Sequence, residues 1–438
     1  MTEVLGTALP EGWTASRLKR VTSLLNRGSA PDYVDHGPVR AISQAANQPG
    51  GLDWARTRFH DATGDPRRLK GYLLLEDILI NSTGTGTLGR IGYFQGGPDG
   101  IPCMADTHVT VARAIPSEVD SRFLYYWLTS IPFQEYIYAA LVVGATNQIE
   151  LNRDRLGDAP VPIPPAEEQR KISSFLDAEI DRIDDVIIER TRQLALLSER
   201  ELASVVHAVR GASQPGERKE SGLAWMGSVP EVWAVAAVSH HYEVLLGKML
   251  NQERVEGDHL RPYLRNTNVQ WGSIETHDLL QMNFPPGERS RYEVRVGDLL
   301  ICEGGEPGRS AIWQGEVEEI FYQKALHRAR PRSESSVRWL YYCMRAATAL
   351  NVFAVEGNTT TISHLTGEQL RVLRFPFPPR EVQDRITSEL DEKVRLLRDL
   401  ASRVREQLVL LAERRRTLIT AAVTGQIDVT TARGVRVP

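Results

Sequence analysis

Gly84-Thr-Gly86-Thr-Leu-Gly89 follows an apolar run from Leu73 to Ile80 and has the glycine spacing of a dinucleotide-binding turn. That chemistry needs a helix opening at the third glycine, so that its N-terminus meets a pyrophosphate. The chain continues instead as Arg90-Ile-Gly-Tyr-Phe-Gln-Gly-Gly-Pro98, which reads as strand and turn. A second copy of the stretch, Cys302-Glu-Gly-Gly-Glu-Pro-Gly-Arg309, loses the spacing, so a glycine-rich hairpin is the better reading. Other catalytic patterns are missing. There is no His-Glu-x-x-His, Gly-x-Ser-x-Gly or Walker loop, and His240-His241 reads as a surface pair. Carboxylates are plentiful only on two long helical stretches, where a solvated or partner-facing role is the default. Cys103, Cys302 and Cys343 lack zinc-ligand spacing and read as reduced thiols, with no metal site.

Polar side chains that can read nucleic acid are the other chemistry on offer. Arg265, Asn266, Asn268 and Gln270 fall within six residues, and these types suit guanine and adenine edges. Asn147-Gln148 and the Asn358-Thr359-Thr360-Thr361 run lie at matching places late in the two halves of the chain. Asn81, Thr83 and Thr85 sit in the glycine-rich turn, and Arg309 sits in its copy. Lys324 and Arg328, with His327 and Arg330 nearby, suit phosphate contacts. For each of these, an ordinary polar loop or surface charge is the competing reading. The formal charge of −4 argues mildly against nucleic-acid binding, although a local face or a partner's charge can offset it.

Two helical runs must position these residues. Pro162-Ile-Pro-Pro-Ala-Glu-Glu-Gln169 leads into apolar positions at helical spacing: Ile172, Leu176, Ile180, Ile183, Ile187, Leu194 and Leu197. Phe375-Pro-Phe-Pro-Pro-Arg-Glu-Val-Gln383 leads likewise into Ile386, Leu390, Val394, Leu397, Val404, Leu408 and Leu411, almost member for member at an offset of 214 residues. Matching phrases precede each run in the same order. Leu9-Pro-Glu-Gly-Trp13 pairs with Val229-Pro-Glu-Val-Trp233, Leu75-Glu-Asp-Ile-Leu-Ile80 with Val296-Gly-Asp-Leu-Leu-Ile301, and Phe123-Leu-Tyr-Tyr-Trp127 with Trp339-Leu-Tyr-Tyr-Cys343. The chain is therefore a tandem repeat of block, proline lead-in and long helix.

Each block reads as mixed α and β. Strand-like runs are Leu73 to Ile80, Arg90 to Phe94 and His108 to Ala112, with a core helix in Ser121 to Ala140; Val294 to Ile301, Gly308 to Trp313 and Val337 to Ala349 repeat the pattern. The expected divisions are a block at 1–164, a helix at 165–211, a second block at 212–379, and a second helix with its tail at 380–438. Glu167 to Arg210 carries ten acids and seven bases, and Arg380 to Val423 eight acids and ten bases, which suits pairing of the two helices with each other. The imperfect heptads predict a bundle or irregular coiled coil. About 44 residues make a rod of roughly 65 Å. Antiparallel rods place the blocks at opposite ends about a pseudo-two-fold axis, a ruler for two DNA half-sites.

At 438 residues, 42% hydrophobic and 25% charged, the composition is that of a globular protein of two or three domains. No run of about 18 apolar residues predicts a membrane span, and the N-terminus lacks a signal-peptide pattern. Together with the cysteine usage, this leads us to expect a cytoplasmic protein.

The layout resembles, over essentially the whole chain, the DNA-specificity (S) subunit of type I restriction–modification systems. The phrases that carry the resemblance are Ser221-Gly-Leu-Ala-Trp-Met-Gly-Ser-Val-Pro-Glu-Val-Trp233, Leu9-Pro-Glu-Gly-Trp13 and the two proline endings. Arg-Glu-Val-Gln383 departs from the more usual Ala-Glu-x-Gln. The resemblance implies an α+β fold of two target-recognition domains separated by two long antiparallel spacer helices. It implies a non-catalytic subunit that reads a bipartite, asymmetric double-stranded DNA target. The helices would dock two modification (methyltransferase) subunits, with restriction/translocase subunits completing the complex. It implies no cofactor on this chain, with S-adenosylmethionine, ATP and Mg belonging to the partners. The alternatives are a helical scaffold whose blocks bind protein, and a nucleotide-dependent enzyme built on Gly84 to Gly89.

Overall fold

The computed structural model describes residues 3–143, 149–250, 256–332, 334–355 and 364–429. The chain divides into two compact units, Met1–Arg190 with Glu406–Pro438, and Thr191–Arg405.

The first unit contains β1 (Thr14–Arg17), β2 (Thr22–Arg27), β3 (Tyr33–Val34), β4 (Val39–Ile42), β5 (Arg58–His60) and β6 (Ile78–Asn81). It continues with β7 (Ile91–Tyr93), β8 (Cys103–Ala105), β9 (Val109–Ala114) and β10 (Pro160–Ile163). One antiparallel sheet has the order β7-β6-β9-β2. A second has the order β8-β4-β5-β3, with β8 and β4 parallel, and β10 pairs with β1. The β6–β7 pair makes Gly84 to Gly89 the connection of an antiparallel hairpin. Its three glycines take φ of +98°, +80° and +79°, a backbone that side-chain-bearing residues resist.

The second unit contains β11 (Ala234–Ala237), β12 (Tyr242–Leu246), β13 (Leu260–Leu264), β14 (Leu280–Asn283) and β15 (Leu299–Cys302). Then come β16 (Ser310–Ile312), β17 (Phe321–Tyr322), β18 (Leu326–Pro331) and β19 (Arg374–Phe377). The sheets repeat the first unit's plan: β16-β15-β18-β12, then β17-β13-β14 with β17 parallel to β13, and a β11–β19 pair.

The runs expected as strands from Leu73 and Val294 begin later, at Ile78 and Leu299. A buried aspartate holds each lead-in as a turn instead. Asp77 accepts from the Leu74 amide at 2.8 Å, and the Arg113 guanidinium donates to both its oxygens at 2.7 Å. Asp298 accepts from the Arg295 amide at 2.7 Å and receives the Arg330 fork at 2.7 and 2.6 Å.

Each unit has a helix against its first sheet, Ser121–Thr129 in one and Val337–Ala349 in the other, capped by Asp120 and Ser336. Gln169 and Gln383, the last residues of the proline lead-ins, fix these caps. Gln169 Oε1 accepts from the Asp120 amide at 2.7 Å while its Nε2 donates to Pro164 O at 2.8 Å. Gln383 does the same for the Ser336 amide and Pro378 O, at 2.9 and 2.8 Å.

The two long helices are Ala166–Val209 and Arg380–Val423. Each contributes to both units. In the first unit Ile172, Leu176 and Ile180 share a core with Ile419, Ala422 and Val423. In the second, Val205 and Val209 join Ile386, Leu390 and Val394. There the helices run antiparallel, since Glu201 pairs with Arg398 whereas the later Gln214 meets the earlier Arg385. Ile183, Leu197 and Val404 are also buried, and Ile187, Leu194, Leu397, Leu408 and Leu411 are half-buried. Each helix also ends on a positive-φ glycine with no room for a Cβ. One added at Gly211 lies 2.6 Å from the Trp233 ring, and one at Gly425 lies 2.2 Å from Pro10 Cγ. The Pro-Glu-x-Trp phrases are thus seats for helix ends.

Candidate nucleic-acid interface

Polar side chains gather where the β6–β7 connection, the residues after β4 and the β8–β9 turn converge in the first unit. Asn81 is buried at the end of β6, where it donates to Gln44 O at 3.1 Å and accepts from Asn47 Nδ2 at 3.0 Å. This holds the Gln44 backbone against the sheet. The Thr83 hydroxyl donates to Gln44 Oε1 at 3.0 Å and lies 2.7 Å from His108 Nδ1. Thr85 is exposed at the tip of the loop. Arg90, next to Gly89, donates to Asn47 O at 2.9 Å and Gln48 Oε1 at 3.0 Å.

The same three segments converge in the second unit with other residues. Counted from the matching strand pairs within each unit, Gln44 corresponds to Asn266, Thr83 to Gly304, His108 to Ala325, and Gly89-Arg90 to Gly308-Arg309. Asn266 donates to Gly304 O at 2.8 Å, and Arg309 donates to Asn266 O at 3.1 Å. Asn268 is buried and donates to Asp278 Oδ1 at 2.8 Å, while its Oδ1 accepts from the Arg265 amide at 2.9 Å. Arg265 donates to Asp278 Oδ2 at 2.5 Å, and that contact holds the Asp278 carboxyl below its ordinary range. Gln270 donates to Thr267 O at 3.0 Å. Trp271 donates to Glu306 at 2.7 Å.

The residues singled out in the sequence therefore differ in availability. Thr85 and Lys324 are exposed, and Lys324 makes no ion pair among the described residues. Thr83, Arg265, Asn266, Gln270 and Arg309 are half-exposed, with Arg265 and Arg309 already engaged in the bonds above. Arg328 is 1% exposed and donates to Glu293 O at 2.6 Å, so in this conformation it serves the core and not a phosphate. Asn147, Gln148, Thr359 and Thr360 lie outside the described residues. Gln44, Arg90 and His108 were missed. Arg90 had a signal, the shared Gly-Arg pair, but nothing in the sequence ties Gln44 or His108 to Thr83.

Chemically, this arrangement can donate and accept hydrogen bonds. Burial pushes the Cys103 and Cys302 thiols up to about 11 and the Cys343 thiol well above its usual value, which makes them poor nucleophiles. Among the described residues, no group of three His, Cys, Asp or Glu is placed to hold a metal ion, and no helix is long and apolar enough to cross a membrane.

Residues 10–194 match the family model of the type I restriction modification DNA specificity domain. A Methanocaldococcus jannaschii protein named as the type I restriction enzyme MjaX specificity subunit is 20% identical, with 97% of this chain and 95% of the relative covered. A Haemophilus influenzae protein named as type I restriction enzyme specificity subunit S.HindORF215P is 25% identical, over 66% of this chain and 68% of the relative. A solved structure described in terms of complex assembly and conformational transition of the type I R-M system superposes with a TM-score of 0.73. It is 18% identical and covers 96% of this chain and 100% of its own, a likeness of fold.

Proposed function

Because the chain belongs to the specificity subunits of type I restriction–modification systems, we propose that its two units read the two halves of a split double-stranded DNA target. Specificity subunits of this family are in general non-catalytic. In this reading, adenine methylation with S-adenosylmethionine belongs to two modification subunits docked on this chain, and ATP- and Mg-dependent cleavage to restriction/translocase subunits.

One observation carries the proposal. The two units share a strand plan but set different side chains at the same three places: Gln44, Thr83 and His108 in one, Asn266, Gly304 and Ala325 in the other. A common frame with variable polar tips suits two readers of different sequence, because base edges are told apart by donor and acceptor pattern. Docking is supported by apolar side chains that the long helices leave in solvent. Ile188, Val409 and Leu410 are 66%, 66% and 62% exposed in the first unit, and Leu196 and Leu396 are 54% and 56% exposed in the second.

The test is a gel-shift series on the chain co-expressed with its modification subunit, using a randomised duplex pool followed by the selected duplexes. Enrichment of one two-part sequence is expected. Equal retention of all duplexes would leave the helices as a scaffold and overturn the DNA-reading role.

A further inference from the structure

We propose that Gln44, Thr83 and His108 form a base-edge binding site in which a hydroxyl relay fixes what each end presents. This rests on the DNA-reading role and adds the chemistry of one contact. The Thr83 hydroxyl has a single proton. It donates that proton to Gln44 Oε1 at 3.0 Å, so at the 2.7 Å contact with His108 Nδ1 the imidazole must be the donor. Neutral His108 then carries its proton on Nδ1 and leaves Nε2 as an acceptor. At the other end the amide oxygen of Gln44 faces the protein, and its Nε2 donates to no group among the described residues. The relay ends in an oriented donor and an oriented acceptor, the pair of functions that the major-groove edge of a base pair answers.

Three further features indicate that the relay is held in place. The Gln44 backbone is pinned by Asn81, and the His108 amide donates to Asp106 Oδ1 at 2.8 Å. A Cβ at Gly84 would lie 2.6 Å from Gln44 Oε1, and that glycine's φ of +98° lets the loop pass beneath the amide. His108 itself is exposed, as a group that meets a ligand must be. The second unit cannot build the relay. Gly304 and Ala325 lack the hydroxyl and imidazole, and the Asn266 amide is held by Gly304 O and Arg309. The relay therefore reads a base pair in only one half of the target.

The experiment is selection from a randomised duplex library by the complex with its modification subunit, for the wild type, Thr83→Val, Thr83→Ser and Gln44→Ala. Thr83→Val and Gln44→Ala should each relax the preference at the same single base pair of one half-target by about tenfold or more. The other half and the gap should be unchanged, and Thr83→Ser should restore the preference. Wild-type preference retained in Thr83→Val, or loss spread evenly over both halves, overturns the relay. If the wild type itself selects no sequence, the DNA-reading role fails first and the relay falls with it.

Discussion

At the residue scale, the two units rest on a small set of repeated polar bonds. Arg122 Nε and the Tyr126 hydroxyl both reach Asp177 at 2.6 Å, and Arg338 Nε and Tyr342 reach Asp391 in the same way, the arginine at 2.8 Å. These bonds, like those of Gln169 and Gln383, tie a block helix to a long helix. Gln383→Ala should cost about 1–3 kcal/mol in urea unfolding, because it strips partners from the buried Ser336 amide and the Pro378 carbonyl. Asp77→Ala should cost about 3 kcal/mol, the low end for breaking a buried pair, since Arg113 keeps 28% of its side-chain surface. His327 governs a pH effect. Its Nε2 donates to Leu365 O at 2.7 Å, its Nδ1 is buried without a partner among the described residues, and burial holds the imidazole below its ordinary value of 6.5. The unfolded chain takes up a proton near pH 6.5 that the folded chain accepts only at lower pH. Stability is thus full above about 6.5 and declines as pH falls toward the folded value. Denaturant midpoints between pH 7 and 5 should fall in the wild type and fall less in His327→Gln. The glutamines could be seen in the sequence as part of a motif, but their partners, about 50 residues away, could not.

At the scale of elements, the proline lead-ins and apolar periodicity made both long helices, Ala166–Val209 and Arg380–Val423, legible, since a seam repeating over many turns leaves little ambiguity. Strands were less legible. Leu73 to Asp77 is apolar enough to read as strand, yet Glu76 sits at φ +70° and Asp77 closes a turn, leaving Leu75 68% exposed. A side chain recruited by a distant arginine leaves no local pattern. The exposed helix residues give a test of docking. Ile188→Glu together with Val409→Glu should leave the melting temperature near wild type, because neither side chain is in a core, yet abolish co-purification of the modification subunit. Retained co-purification would place docking elsewhere.

At the scale of the whole molecule, the repeat was the feature most open to reading, because framework phrases recur in order while the tips between them differ. The grouping at the tips was not legible, although Thr83 alone was: Gln44, Thr83 and His108 lie far apart in sequence and meet only through the pairing of β4 with β8 and β6 with β9. If the long helices act as a ruler, four residues inserted into either of them should change the gap between half-targets and leave the bases unchanged. An unaltered gap would sink the ruler. The most direct test of the central claim is a genome-wide map of methylated adenines in the host with and without this gene. Loss of one split, asymmetric motif on deletion is the predicted result. A map that keeps every motif, in cells whose modification subunit is expressed and active, would contradict a specificity role for this chain.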